Sequence, residues 1–295
     1  MPRADWSEVR NVKVWLPSAQ EQEAIANYLD RETAQIDAFI AKNEELIATL
    51  KERKKSVTAN AVTRGIDGAA KLKDTRIPWL GEIPEEWQAM RVKFAVNSQP
   101  GYAFSSSEFV EGASAIRLLR GINVGVQEID WDETVSISTA PANISQTYTL
   151  HEGDLVMGMD RPLIRDGLRI APVDRESSGT LLVQRVLRLR GVLVLNEYLN
   201  YSVAWGGFAM YVEPDFTGVS VPHMSEQQVS NYMIALPDLS TQQQIIAYLR
   251  EQNSRMDKAI YTAGEAIELA KERRAALISA AVTGKIDVSK EASAV

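Results

Sequence analysis

Leu16-Pro17-Ser18-Ala19-Gln20-Glu21-Gln22 and Leu236-Pro237-Asp238-Leu239-Ser240-Thr241-Gln242 open the same stretch written twice. Laid over each other at an offset of 220 residues without a gap, the stretches from Leu16 to Asp67 and from Leu236 to Asp287 agree at 18 of 52 positions. Tyr28-Leu29 falls on Tyr248-Leu249, Lys51-Glu52-Arg53 on Lys271-Glu272-Arg273, and Ala61-Val62-Thr63 on Ala281-Val282-Thr283. A match of that length is an internal duplication, and a duplication sets the architecture.

Each copy reads as one long helix. No Pro or Gly lies between Ser18 and Arg64, and Gly264 is the one interruption between Asp238 and Thr283. Strong helix formers dominate both runs. Ser18 and Asp238 stand where an N-cap is expected, and Gly65 and Gly284 stand at the far ends. A helix of that length spans roughly 65–70 Å and suits a spacer or a coiled coil better than a small globular core. Leu29, Ile36, Asn43, Leu50 and Val57 recur at sevens; the second copy answers with Leu249, Met256, Ala263, Ala270 and Leu277. Such a repeat is a coiled-coil seam. Asn43 on the seam has two readings, a register-fixing polar residue or a solvated edge residue. The matched lengths and the return path through the middle of the chain predict antiparallel pairing of the two helices.

Between the copies the texture changes. From Ala89 to Leu236 short β-rich runs alternate with Gly, Pro, Asn and Asp turns. Strands are expected in Ala115–Arg120, Gly153–Met159 and Thr180–Arg190, and a helix in Asn196–Met210. The fold class is therefore α+β: one globular domain flanked by two long helices forming an antiparallel coiled coil. The expected division is a terminal strand of an otherwise missing domain in 1–17, the first helix in 18–67, the globular domain in 68–237, the second helix in 238–288, and a tail in 289–295. Val12–Leu16 alternates like a strand and occupies the place that Asn231–Leu236 holds before the second copy.

Bulk properties narrow the chemistry. Cysteine is absent, which removes disulfides, thiolate nucleophiles and Cys-based zinc sites and fits a reducing cytoplasm. No apolar run approaches the ~20 residues of a membrane span, and Met1–Ser18 has no signal-peptide core. The net charge is −7, and residues 68–237 hold 14 Lys and Arg against 20 Asp and Glu. An acidic domain argues against a simple basic patch for nucleic acid, although local clustering matters more than the total. The Asn/Asp-Pro-Pro-aromatic loop of adenine methyltransferases, Walker A, Gly-x-Gly-x-x-Gly and His-Glu-x-x-His patterns are all missing. No catalytic residue, metal site or cofactor is expected.

Several stretches together resemble the specificity subunit of type I restriction-modification systems. They are the duplicated Leu-Pro-x-x-x-x-Gln opening at Leu16–Gln22 and Leu236–Gln242, and the helix exit Ala-Val-Thr-x-x-Ile-Asp at 61–67 and 281–287. To these add Ile77-Pro78-Trp79-Leu80-Gly81-Glu82-Ile83-Pro84 with Trp87, Gly153-Asp154-Leu155-Val156 with Asp160-Arg161-Pro162, and Gly218-Val219-Ser220-Val221-Pro222-His223-Met224-Ser225. The resemblance implies two target-recognition domains held apart by two antiparallel helices. Each domain reads half of a split site on double-stranded DNA. The helices dock the adenine methyltransferase subunit, and a restriction subunit with ATPase and nuclease activity completes the complex. This chain has one recognition domain where the plan has two. It looks like the C-terminal half of a full subunit or a natural half-subunit, reading DNA alone, with a second copy of itself or with another half-subunit.

Arginines are the candidate readers, because a guanidinium pairs bidentately with guanine and holds phosphate. Arg161, Arg165 and Arg169 lie in a Gly/Asp/Pro-rich stretch; Gln184 and Arg185 form a second pair, Gln being suited to adenine; Ser105 and Ser106 offer hydroxyls to phosphate. The competing reading makes Arg185, Arg188 and Arg190 the solvated face of a strand. His223 is either a DNA or partner contact or a turn histidine bonding backbone. The expected function is sequence-specific DNA recognition for a partner methyltransferase; the alternative is a coiled-coil assembly protein whose acidic central domain binds protein.

Overall fold

The computed structural model describes residues 5–12, 14–110, 115–165, 167–216 and 222–288. Gly218–Val221 of the motif before the second helix, and residues 289–295, lie outside them. The chain separates into two units, residues 1–52 with 254–295, and residues 53–253. Each long helix contributes to both.

The helices form as their sequences dictate. The first runs Ala19–Thr63 and the second Leu239–Val282. Ser18 caps the first: its hydroxyl accepts from the Glu21 amide at 3.3 Å, while the Glu21 carboxylate accepts from the Ser18 amide at 2.9 Å. The Ser18 amide, and after it the Ser18 hydroxyl donating to the same carboxylate at 2.8 Å, hold the Glu21 carboxyl below its usual range. Asp238 caps the second by accepting from the Ser240 and Thr241 amides at 2.9 and 3.1 Å. Its carboxyl is lowered chiefly by the Thr241 hydroxyl. At the far ends Gly65 (φ 80°) and Gly284 (φ 69°) take the left-handed conformation that L side chains rarely adopt. Each lies against an indole: a Cβ at Gly65 would come within 3.2 Å of Trp87, and one at Gly284 within 3.2 Å of Trp15.

In the first unit the helices are antiparallel. Ile25 and Tyr28 share a buried cluster with Ala281 and Val288, and Asp37 accepts from Arg274 at 2.9 and 3.3 Å. That ion pair is exposed and contributes no more than about 1 kcal/mol; the apolar contacts hold the pair together. Among the seam positions here, Ile36 and Met256 are buried, while Leu29, Asn43, Leu50 and Leu277 are half-buried. The Asn43 amide donates to Phe39 O of its own helix at 2.8 Å, the edge-residue reading rather than a bond across the seam.

The second unit carries the globular domain. A four-stranded antiparallel sheet runs in the order Ile170–Pro172, Leu155–Gly158, Val186–Gly191, Val96–Pro100. A second four-stranded sheet runs Leu181–Leu182, Ile116–Leu119, Val135–Ile137, Phe109–Val110, with the first pair parallel. Helices Asn196–Ala204 and Gly207–Phe216 occupy the stretch read as helical and reach beyond it. The main core gathers Tyr198, Phe208, Tyr232, Met157, Leu187 and Leu189 with Ala61, Val62, Ile245 and Leu249 from the ends of the long helices; Val57 packs against it half-buried. Trp79 donates to Met233 O at 3.0 Å and stacks on Tyr232 at 5.7 Å, and Trp87 is buried, so both tryptophans are packing anchors.

The duplicated openings end in different surroundings. Met233–Leu236 is a strand paired antiparallel with Gln88–Arg91. Its counterpart, expected as a strand in Val12–Leu16, is not one in the described residues: Trp6–Val9 is a helical turn and residues 14–16 pair with no strand. Alternation alone does not make a strand, because its amides and carbonyls need a neighbouring ladder. Gln242 is fully buried, donating to Pro237 O (2.9 Å) and Leu193 O (3.3 Å) and accepting from the Leu195 amide (2.8 Å). Gln22 keeps only the local bond, to Pro17 O at 2.9 Å, and is exposed.

Candidate nucleic-acid interface

Gly101 brings two segments of the domain together. A Cβ there would lie 2.0 Å from Val183 O, so only glycine fits. The following residue, Tyr102, donates its amide to Leu182 O at 3.0 Å and accepts from the Gln184 amide at 2.8 Å. The expected strand Thr180–Arg190 is thereby split into Leu181–Leu182 and Val186–Gly191. Between them Arg185 adopts φ 68° and turns outward, with Gln184 exposed beside it.

A second left-handed arginine faces the same cluster. After strand Leu155–Gly158 the chain passes Met159 and Asp160 to Arg161, at φ 45°. Non-glycine residues at positive φ are uncommon and are held by their surroundings. Here the hold is explicit. The Met159 amide donates to Arg185 O (2.9 Å), the Arg161 amide to Pro222 O (2.9 Å), and the Met224 amide to Met159 O (2.8 Å). His223 Nδ1 donates to Asp160 Oδ1 at 2.7 Å, and Arg185 Nη1 lies 3.5 Å from the same oxygen. Asp160 is thus the hub of a cluster with Arg161, Arg185 and His223, and these three residues are exposed.

Arg169 belongs to the scaffold of this cluster, not to its surface. Its Nε donates to Val124 O at 2.8 Å, Nη1 to Asp160 O at 2.8 Å, and Nη2 to Gly121 O. Burial pushes its guanidinium below the ordinary arginine range, with Asp160 opposing the shift. A half-buried guanidinium spent on three carbonyls is unavailable to a base edge. Arg165 sits exposed at the turn between Leu163–Ile164 and Gly167–Leu168, with no side-chain partner among the described residues. Ser105 is also spent locally: its hydroxyl caps the turn Ser106–Glu108, accepting from the Ser107 amide at 3.4 Å. Ser106 is exposed. No hydrogen bond among the described residues links this turn to the arginine cluster.

The reading of Arg188 and Arg190 as a solvated strand face is corrected. Their strand is central in its sheet, and Arg188 is buried, donating to Thr147 O at 3.1 Å; burial lowers its guanidinium. Arg190 makes a bidentate pair with buried Asp154, 2.7 Å on each oxygen, and this bond raises its guanidinium. Asp154 also accepts from the His151 amide at 2.9 Å, which accounts for the Gly-Asp-Leu-Val motif as a strand-start device. Asp160, which reasoning on arginines passed over, and His223, whose Nδ1 bonds that carboxylate and not backbone, both lie in motifs visible in the sequence: Asp160-Arg161-Pro162 and Pro222-His223-Met224. Among the described residues no group of three or more His, Cys, Asp or Glu is placed to hold a metal ion, and no helix is long and apolar enough to cross a membrane.

The relatives of this chain are type I restriction enzyme specificity subunits. It is 27% identical over 293 residues to the MjaVIII specificity subunit of Methanocaldococcus jannaschii, covering 98% of this chain and 65% of that protein. It is 31% identical over 183 residues to the EcoAI specificity subunit of Escherichia coli, covering 61% of this chain and 29% of that protein. The chain therefore spans less than two thirds of the length of these curated relatives. The fold matches a chain from a structural study of complex assembly and conformational transition in the type I R-M system, with TM-score 0.73, 16% identity, and coverage of 97% of this chain and 65% of that one. It also matches the HsdS subunit from Thermoanaerobacter tengcongensis, with TM-score 0.58 and 16% identity over 97% of this chain and 64% of that one. No family model matches the chain.

Proposed function

We propose, taking the chain as a specificity subunit of type I restriction-modification systems, that its domain 68–237 reads one part of a split site on double-stranded DNA. The observation that carries this reading is the cluster at Asp160, where Arg161 and Arg185 are both held at positive φ and both exposed. Backbone geometry that unfavourable is kept where a side chain must be aimed. Arg161, Arg165, Gln184 and Arg185 form the reading face, with Ser106 as a phosphate contact. Arg169 holds the arginine cluster in shape, and Ser105 caps the turn that carries Ser106.

The chain performs no chemistry in this account. The helices 18–67 and 238–288 space the recognition domain and dock an adenine methyltransferase subunit, with a restriction subunit joining the assembly in the cytoplasm. The second half of the site is read by another recognition domain, supplied by a second copy or another half-subunit. The place for it is suggested by the duplication: Val14 (78%), Trp15 (49%) and Leu16 (80%) are exposed, whereas of their counterparts before the second helix Ile234 and Ala235 are each 1% exposed and Leu236 is half-buried.

The excess of acidic residues in 68–237 favours a second reading, in which the domain binds protein. Co-expression with an adenine methyltransferase subunit of a type I system, followed by solution mass and duplex binding at two salt concentrations, separates the two. DNA recognition predicts a stable complex whose affinity for duplex falls steeply with salt as phosphate contacts are screened. A complex without any duplex binding supports the protein-binding reading.

A further inference from the structure

Asp160 is placed where a carboxylate is least expected on a DNA-reading face. Phosphates repel it, and a phosphate-holding surface has no use for an acceptor. Yet its side chain is 37% exposed and stands among Arg161, Arg185, Arg169 and His223. Those neighbours do two things. Through the positive charge of the three arginines they offset the repulsion. They also leave half of the carboxylate unused: His223 and Arg185 both address Oδ1, and Oδ2 has no hydrogen-bond partner among the described residues. The backbone carbonyl of Asp160 is tied by Arg169, and the neighbouring Arg161 amide by Pro222 O, so the carboxylate stands on a rigid mount. The result is one unpartnered acceptor on a part-exposed side chain, beside two exposed arginines, Arg161 and Arg185.

On a base edge that pattern has a definite complement. In the major groove only cytosine N4 and adenine N6 donate, while guanine offers two acceptors to an arginine. Resting on the DNA-recognition reading above, we propose that Asp160 is a specificity-determining residue. Its free oxygen accepts from the exocyclic amino group of cytosine or adenine, next to a base read by Arg185. His223 is its positioning residue. With Nδ1 donating to Asp160, His223 fixes the carboxylate's rotation and blocks Oδ1, so that one oxygen alone faces the groove.

The test is selection from a random-sequence duplex library by the full chain in complex with its methyltransferase subunit. Wild type, Asp160→Ala and His223→Ala are compared, with thermal melting of each as a folding control. Wild type is expected to select a motif containing a cytosine or adenine whose preference drops about tenfold or more in Asp160→Ala, at that position only. His223→Ala is expected to weaken the preference at the same position. A second measurement needs no variant. Wild-type complex is titrated with its selected duplex carrying 2-pyrimidinone for cytosine, or 2-aminopurine for adenine, at that position. Both analogues lack the major-groove amino group, the loss of affinity is expected for one of them, and which one identifies the base. Asp160→Ala selecting an unchanged motif, or analogues bound as tightly as the natural bases, overturns the assignment while leaving DNA recognition intact. A wild-type complex that selects no motif overturns both.

Discussion

Gln22 and Gln242 are the same residue of a duplicated stretch in two environments, which makes them a matched pair for measurement. Gln242→Ala removes three hydrogen bonds at a fully buried position: to Pro237 O, to Leu193 O and from the Leu195 amide. At about 1 kcal/mol per neutral bond, with an added penalty for buried groups left unpaired, the loss is about 2–4 kcal/mol. Gln22→Ala removes one bond at an exposed helix start, and the expected cost is within about 0.5 kcal/mol. The assay is urea unfolding followed by tryptophan fluorescence. Four of the six tryptophans, Trp79, Trp87, Trp131 and Trp205, lie in residues 53–253 and two, Trp6 and Trp15, in the unit of Gln22, so the signal draws on both units and mainly on the one that contains Gln242. The midpoint of Gln242→Ala should fall well below wild type with an unchanged slope, and that of Gln22→Ala should not move. Equal midpoints for the two variants would refute the claim that burial, not the local helix-start bond, gives Gln242 its role.

Other perturbations test separate parts of the account. Arg169→Lys should destabilise the domain by about 3 kcal/mol, because the donors of an ammonium sit on one nitrogen and cannot span the three carbonyls that Nε, Nη1 and Nη2 reach separately, whereas Arg161→Ala should leave the melting temperature unchanged and weaken duplex binding. Leu50→Asp puts a charge at a half-buried seam position and should lower the melting temperature of the helix pair by far-UV circular dichroism; an unchanged melt would count against the seam. Burial raises the phenols of Tyr198 and Tyr232 above the ordinary value of 10. The unfolded chain then ionises first, so their contribution is complete below pH 10 and is lost as pH rises beyond it; Tyr232→Phe should flatten the alkaline fall in urea midpoint.

The long helices were legible because every signal for them is local. Propensity, the Ser18 and Asp238 caps, the terminal glycines and the heptad seam all lie within a few residues of what they control. The α+β character of the middle was legible for the same reason. What escaped depends on partners distant in sequence. Val12–Leu16 and Met233–Leu236 stand at equivalent places in the duplication, but only the second has Gln88–Arg91 beside it to complete a ladder. Arg188 carries the most polar of side chains on a strand and is nevertheless buried, because Thr147 O lies 41 residues away in sequence and within reach in space. Arg169 reads as a loop arginine until the carbonyls of Gly121 and Val124 are placed around it. Arg185 breaks a β-rich run at positive φ, which no propensity scale marks for arginine; its carbonyl accepts from the amide of Met159, 26 residues earlier. The Asp160–His223 contact joins two motifs 63 residues apart, each visible as a motif and neither revealing the other.

The most direct test of the central claim is a map of methylated adenines in DNA from cells that express the methyltransferase subunit with and without this chain. Recognition by the domain 68–237 predicts one split motif, methylated only when the chain is present and lost or altered with Arg161→Ala and Arg185→Ala together. Methylation at the same sites without the chain, or an unchanged motif in the double variant, would contradict it.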